Sequence, residues 1–391
     1  MTAAPGRVST AGLTGVRGLA ALAVIYTHAA FWTGRYAEDT TGYIYSRLEV
    51  AVPVFFALSA FLLFRPWAAM LRGDRDTPVG RAPALGRYLY RRARRILPAY
   101  WLTVVVVYLV YLVREAGPFG RGWEGFVRNM TLTQLYGYGH QHDSLTQNWS
   151  LAIEVAFYLA LPVIGALTVF GVCRSRRRPR VAAAAIAALI PLSMGWIWLT
   201  HQDVFYETTP VDITAQLWLP SFLGWFAAGM LLALAEPLLA RAGRVWPPLS
   251  LAVAAAAFAL ACTPLAGEPT IMPRDTGAAI IKSLLYLVIT VGVLAPLVMP
   301  TRGWYRRLLE SRPVMWLGSV SYELFLIHLL VMALVMDLVG YRPFTRSTLG
   351  LFELTVLASL PIAWLMHLLT APRAARAQAS SPRSRDSISA R

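Results

Sequence analysis

Apolar residues along this chain come in runs of about twenty, broken by short polar segments, and the rhythm holds from residue 13 to residue 370. A run of that length, wound as an α-helix, crosses about 30 Å of hydrocarbon. Ten runs can be drawn, at 13–32, 46–64, 96–113, 149–172, 181–200, 216–235, 249–265, 277–299, 314–336 and 348–370. The segments between them alternate in kind. Every second one is rich in arginine, as in "CRSRRRPR" and "PTRGWYRRLLESRP", and so is the C-terminal tail. These segments and the N-terminus hold twenty-six arginines, the intervening segments eight. Basic loops stay on the cytoplasmic side of a membrane, so the alternation orients the chain. An even number of crossings returns both ends to that side. The pattern predicts an all-α polytopic membrane protein of about ten transmembrane helices around a central polar cavity, with both termini cytoplasmic. Its parts are a cytoplasmic N-terminus (1–12), a transmembrane domain (13–370) and a basic, disordered cytoplasmic tail (371–391).

Composition agrees. Of 391 residues, 57% are hydrophobic and 14% charged, and the mean hydropathy is +0.52. Soluble domains carry nearer a quarter charged residues. The net charge of +16 would suit a nucleic-acid partner, but its confinement to alternate loops excludes that reading. Lys282 is the single lysine, and the Ala- and Arg-rich usage fits a GC-rich bacterial genome. Cys173 and Cys262 are too few and too far apart for a disulfide framework or a zinc site. Arg17 interrupts the first apolar run and no cleavage site follows, so that run is read as a retained span in a bacterial cytoplasmic membrane.

Ionisable residues inside spans are costly and mark functional cavities by default. Arg17 and His28 sit in the first span, eleven residues apart. Eleven residues turn through almost three full revolutions, so the two share a helix face about 16 Å apart along the axis. Taken alone, Arg17 could snorkel to the inner interface. "LYRRARRILPAYW" brings Arg91, Arg92, Arg94 and Arg95 to the inner mouth of the third span. They serve either topology and lipid contact or, as planar forks of donors, the binding of phosphate. In "NWSLAIEVAFYL", Trp149 and Ser150 open the fourth span, and Glu154 lies four residues on, on the face of Ser150. In "LGSVSYELFLIHLLV", Ser321 and His328 share a face of the ninth span, with Tyr322 and Glu323 beside them. His140 and His142 are too sparse for a metal site, and His367 and Lys282 read as span-end residues. Two layers result: Arg17, Arg92 and Arg95 near the cytoplasmic face, and His28, Glu154 and His328 in the outer half. A molecule whose phosphates are gripped below could extend a long arm to chemistry above.

This combination resembles the acyltransferase 3 family of bacterial membrane-bound acyltransferases. "LTGVRGLAALAVIYTHA" is similar to its Arg-x10-His signature and "VPVFFALSAFLL" to its second-span motif. "RRARRILPAYW", "NWSLAIEVAFYL" and "GSVSYELFLIH" match its remaining motifs in order, from residue 10 to about 330. The resemblance implies an O-acyltransferase that moves an acyl group, commonly acetyl, from acyl-CoA to a hydroxyl of a carbohydrate, glycolipid or glycosylated metabolite such as a macrolide. It implies Arg17, Arg92 and Arg95 on the CoA phosphates and His28 as general base or transient acyl carrier. Glu154 would orient His28 or the acceptor. Trp149, Ser150, Ser321, Tyr322 and His328 would line the cavity. No metal is needed. The partners implied are acyl-CoA, the hydroxyl-bearing acceptor and membrane lipids, with a homodimer left open and no nucleic acid. The chain departs from the family pattern at Thr14, where an acidic residue is frequent, at Ala60, where glycine is, and at Phe325, where tyrosine is. Some members carry a C-terminal SGNH-type domain; here such a domain is expected to be absent or a separate protein. The competing reading is a sugar or lipid transporter with a His28–Glu154 proton relay. A structural scaffold fits less well with so many buried charges.

Overall fold

The computed structural model describes residues 11–72, 83–114, 117–209, 211–241, 246–270, 273–299, 303–342, 344 and 347–371. All but the edges of the expected N-terminal segment and basic tail lie outside these residues. The described residues are mostly helical and contain no strand. In lipid this follows from chemistry, because a helix satisfies its own backbone polar groups where no water can.

The apolar runs become helices α1 (Ala11–Trp32), α2 (Ala51–Arg72), α3 (Leu85–Val110), α4 (Trp149–Ala166), α5 (Pro179–Leu199), α6 (Leu223–Leu239), α7 (Trp246–Ala261), α8 (Thr276–Val298), α9 (Arg312–Val339) and α10 (Thr348–Thr370). Among the described residues nine helical stretches are long and apolar enough to span a membrane. The remaining predicted span is α7, an apolar helix of 16 residues. This is a multi-pass membrane protein. Helix α3 departs most from the sequence expectation: it begins at Leu85, eleven residues before its apolar stretch. Arg92 and Arg95 therefore ride on a helix rather than in a loop, and their direction is fixed.

Small residues set how closely the helices approach, as is common where packing rather than hydrophobicity drives association. α1 and α9 run in the same direction and cross at two glycines. A Cβ added to Gly18 would lie 2.8 Å from the Gly318 nitrogen, and one added to Gly318 would lie 2.0 Å from the Thr14 carbonyl oxygen. Between α2 and α6, a Cβ at Gly229 would meet the Ala57 carbonyl oxygen at 1.9 Å. The interior beside this second crossing is an aromatic ladder. Phe226 of α6 stacks on Phe157 of α4 at 3.9 Å between ring centroids and on Phe56 of α2 at 4.6 Å.

Candidate active site

The early start of α3 delivers two arginines to the face of α1 that carries Arg17. Arg17, Arg92 and Arg95 line one cavity of about 860 Å³, counted out to its mouth. Its wall follows α2 from Val52 to Leu63 and α4 from Ser150 to Tyr158. At 1.5 Å per residue those stretches rise about 16 and 12 Å, so the cavity is a shaft along the bundle rather than a surface dimple. Ser321 and Tyr322 of α9 belong to the same wall. The Tyr322 hydroxyl donates to the Ile96 carbonyl at 3.0 Å, which ties α9 to the arginine-bearing helix.

Glu154 is the carboxylate of this lining among the described residues. Its Oε1 accepts from the Ser59 hydroxyl of α2 and from the Tyr158 hydroxyl one turn along α4, the latter at 2.5 Å. It also lies within charge reach of Arg17, as does Glu323. Three guanidinium groups against one carboxylate leave the shaft positive, and the Arg92 Nε is buried with no protein partner. That is a donor set suited to a polyanion. The two-layer expectation is thus revised at one residue. Glu154 faces α2 and the arginines; its hydrogen bonds go to Ser59 and Tyr158, not to His28.

His28 and His328 stand together farther from the basic loops, with ring centroids 5.2 Å apart. His328 is fully buried, whereas His28 keeps some accessible surface. The His328 Nδ1 lies 2.6 Å from the Phe325 carbonyl oxygen. A carbonyl accepts and cannot donate, so Nδ1 carries the proton and Nε2 keeps a bare lone pair. That Nε2 is buried without a protein partner. Phe325 links the two regions: its side chain lines the shaft, and its ring centroid lies 5.9 Å from that of His328.

Trp149 is placed elsewhere. It lines a second cavity of about 720 Å³, at the end of the bundle opposite the arginine-rich loops. Consecutive residues at the start of α4 thus serve different spaces, Trp149 the second cavity and Ser150 the shaft. Phe56 and Val52 form the partition, since both line the shaft while Val52 lines the second cavity and Phe56 packs on Trp149 and Trp225.

Sequence reasoning missed several polar groups. Lys282 is buried in an ion pair with Glu49, whose Oε1 also accepts from the Tyr286 hydroxyl at 3.0 Å. His367 Nδ1 lies 3.0 Å from Glu323 Oε1, both residues buried between α9 and α10. Tyr158 was legible in principle, being four residues from Glu154 on the same helix face. The Glu49–Lys282 and Glu323–His367 pairs join segments far apart in sequence, and nothing local announces them.

The family described as an acyltransferase domain matches residues 10–368. Acyltransferase MdmB of Streptomyces mycarofaciens is 31% identical over 172 residues, covering 41% of this chain and 40% of that protein. YrhL of Bacillus subtilis, whose name assigns it provisionally as a peptidoglycan O-acetyltransferase, is 25% identical over 89% of this chain and 53% of its own length. Peptidoglycan O-acetyltransferase OatA of Listeria monocytogenes is 23% identical over 81% of this chain and 48% of its own. The chain spans about half the length of the curated relatives it matches.

Proposed function

The chain belongs to the acyltransferase 3 family, and from that premise we propose that it is an integral-membrane O-acyltransferase. The acyl group, acetyl above others, moves from acyl-CoA to a hydroxyl of a carbohydrate, glycolipid or glycosylated metabolite. The basic loops face the cytoplasm, and acyl-CoA enters the shaft from that side. The observation that supports the reading is the positive shaft lined by Arg17, Arg92 and Arg95, with Phe325 of its wall packed against His328. Its orphaned Arg92 Nε and excess of guanidinium charge fit the phosphates of CoA. Its rise of about 16 Å along α2 suits an extended thioester arm.

His28 takes the proton of the acceptor hydroxyl, a role an imidazole fills near neutral pH. The oxygen bonds to the thioester carbonyl carbon as the carbon–sulfur bond breaks, and the proton passes to the departing thiolate. An ester and free CoA thiol result. His328 packs its ring against that of His28 and sets its orientation. Glu154, fixed by Ser59 and Tyr158, balances and positions Arg17.

The test is incubation of membranes containing the protein with radiolabelled acetyl-CoA. Label on a hydroxyl-bearing product, lost on Arg92→Ala and retained in part on Arg92→Lys, supports the reading. Membranes that neither bind acetyl-CoA nor transfer label would turn the assignment toward transport.

A further inference from the structure

The second cavity carries an inference that rests on the acyl-transfer reading and narrows it. We propose that this space, bounded by Trp149, Phe222, Trp225, Lys282, Ser283 and Tyr286, takes the acceptor, and that the acceptor is a small amphipathic glycoside with an apolar body rather than a polysaccharide strand. Three observations support this.

The first is position. The cavity lies at the end away from the arginine-rich loops and shares the Val52–Phe56 partition with the shaft. Donor and acceptor thus approach one wall from opposite sides.

The second is the character of the walls. Trp149, Phe222 and Trp225 form a continuous aromatic surface, with ring centroids 5.3 and 5.2 Å apart in succession, and Val52, Pro53, Ile197 and Leu217 extend it. Most polar groups of the lining are already engaged. Gln216 donates to the Thr200 carbonyl at 2.8 Å, Ser221 to the Gln216 carbonyl at 2.6 Å, and the Trp225 indole to the Ser283 carbonyl at 3.0 Å. A hydrated oligosaccharide would surrender many water contacts here and regain few. An apolar body would lose none.

The third is a pair of polar anchors. The Ser283 hydroxyl is buried, with the residue 5% exposed, and has no partner. On the same helix the adjacent Lys282 and, one turn on, Tyr286 fix Oε1 of Glu49, which leaves the carboxylate's other oxygen to meet a ligand hydroxyl. One donor–acceptor hydroxyl and one held carboxylate are enough to orient a single sugar ring against the aromatic wall.

The experiment uses the full chain in lipid nanodiscs, with empty nanodiscs as blank. Phenyl β-D-glucopyranoside and cellotetraose are titrated by equilibrium dialysis, with acetyl-CoA binding measured on the same samples. The expected result is saturable binding of the phenyl glucoside at least about tenfold tighter than cellotetraose. Ala279→Leu, which fills the cavity from α8, should weaken it about tenfold or more. Ser283→Ala should weaken it by roughly 2- to 10-fold, the worth of one hydrogen bond. Equal or tighter binding of cellotetraose, or glycoside binding indifferent to both substitutions, overturns the proposal. Glycoside binding that follows this pattern in a protein that fails to bind acetyl-CoA upholds the cavity's ligand class and sinks the acyl-transfer reading instead. Normal acetyl transfer by Ala279→Leu would do the reverse.

Discussion

His28 and His328 come within 5.2 Å of each other, ring to ring, because each stands ten residues beyond the glycine at which its helix crosses the other. α1 and α9 run in the same direction, so equal distances from Gly18 and Gly318 bring the two imidazoles to the same height. The pair is therefore a product of register. It is set by a backbone contact about 15 Å away along each axis, at 1.5 Å per residue.

If His28 is the proton acceptor, His28→Ala should lower acetyl transfer by about 10²- to 10⁴-fold, the usual contribution of a positioned general base. Binding of acetyl-CoA, which depends on the arginines, should persist. His328→Gln should do less to the rate but move its pH profile, because His328 acts through the His28 ring. Initial rates across pH 5.5–8.5 with labelled acetyl-CoA check both. A His28→Ala protein that transfers at the wild-type rate excludes the role.

Gly318→Val tests the register directly. Its Cβ would lie 2.0 Å from the Thr14 carbonyl oxygen, which belongs to backbone and cannot swing aside. The helices must part or slide, at a cost of about 1–3 kcal/mol typical of overpacking. The expected outcome is a lower melting temperature in detergent together with loss of transfer. The same change at Gly171, where a Cβ would meet nothing within 4 Å, should leave the melting temperature within about a degree.

These relationships also show what could be read in advance. The spans and the Arg17–His28 face follow from helical periodicity, a local property; nine of the described helical stretches are long and apolar enough to cross a membrane, and Arg17 lines the shaft. Arg92 and Arg95 read as candidate phosphate donors by residue type. Their convergence on Arg17 needed the extra helical turns before Ile96, which lie in a polar stretch that hydropathy assigns to a loop. The family motif groups Trp149 with Ser150, yet successive helix positions differ by 100° and here face different cavities. Lys282, near a span end, reads locally as a side chain that snorkels or hydrogen-bonds nearby. Its partner Glu49 is more than two hundred residues away in sequence, and that separation kept the ion pair out of reach.

His142 predicts an acid-sensitive loop. It lies outside the spans, is 2% exposed, and packs between the rings of Tyr108 and Tyr111 at 5.0 and 4.6 Å. Its Nδ1 accepts from the Ser144 amide at 3.3 Å. Burial lowers its pKa to about 4; Arg121 and Arg114 act the same way, and Asp143 opposes them. The unfolded chain takes up the proton near pH 6.5 and the folded one near pH 4, so the unfolded state binds more protons in between. Stability is untouched above about pH 6.5 and falls as pH drops toward 4, by roughly 3 kcal/mol in the limit. Melting curves from pH 7.5 to 4.5 should show a decline that His142→Phe, an aromatic of similar shape that cannot protonate, makes shallower. Parallel curves for the two proteins would refute the assignment.

The Glu49–Lys282 pair yields the sharpest stability test, because both charges are largely removed from solvent, with side-chain exposures of 18% and 7%. Removing one member of such a pair strands the other, which typically costs about 3–5 kcal/mol, whereas removing both is often nearly neutral. Lys282→Met leaves the Glu49 carboxylate without its cation, and Glu49→Gln leaves the ammonium without its anion, although the Thr270 carbonyl still accepts from it at 3.2 Å. Each single variant should melt well below wild type. The double variant should recover most of the loss, since the Tyr286 hydroxyl can still donate to the side-chain amide oxygen that Glu49→Gln introduces. Additive losses in the double variant would mean that the two side chains stabilise the bundle independently. If the recovered double variant binds phenyl β-D-glucopyranoside more weakly than wild type, the held carboxylate serves recognition as well as folding; unchanged affinity would assign the pair to folding alone.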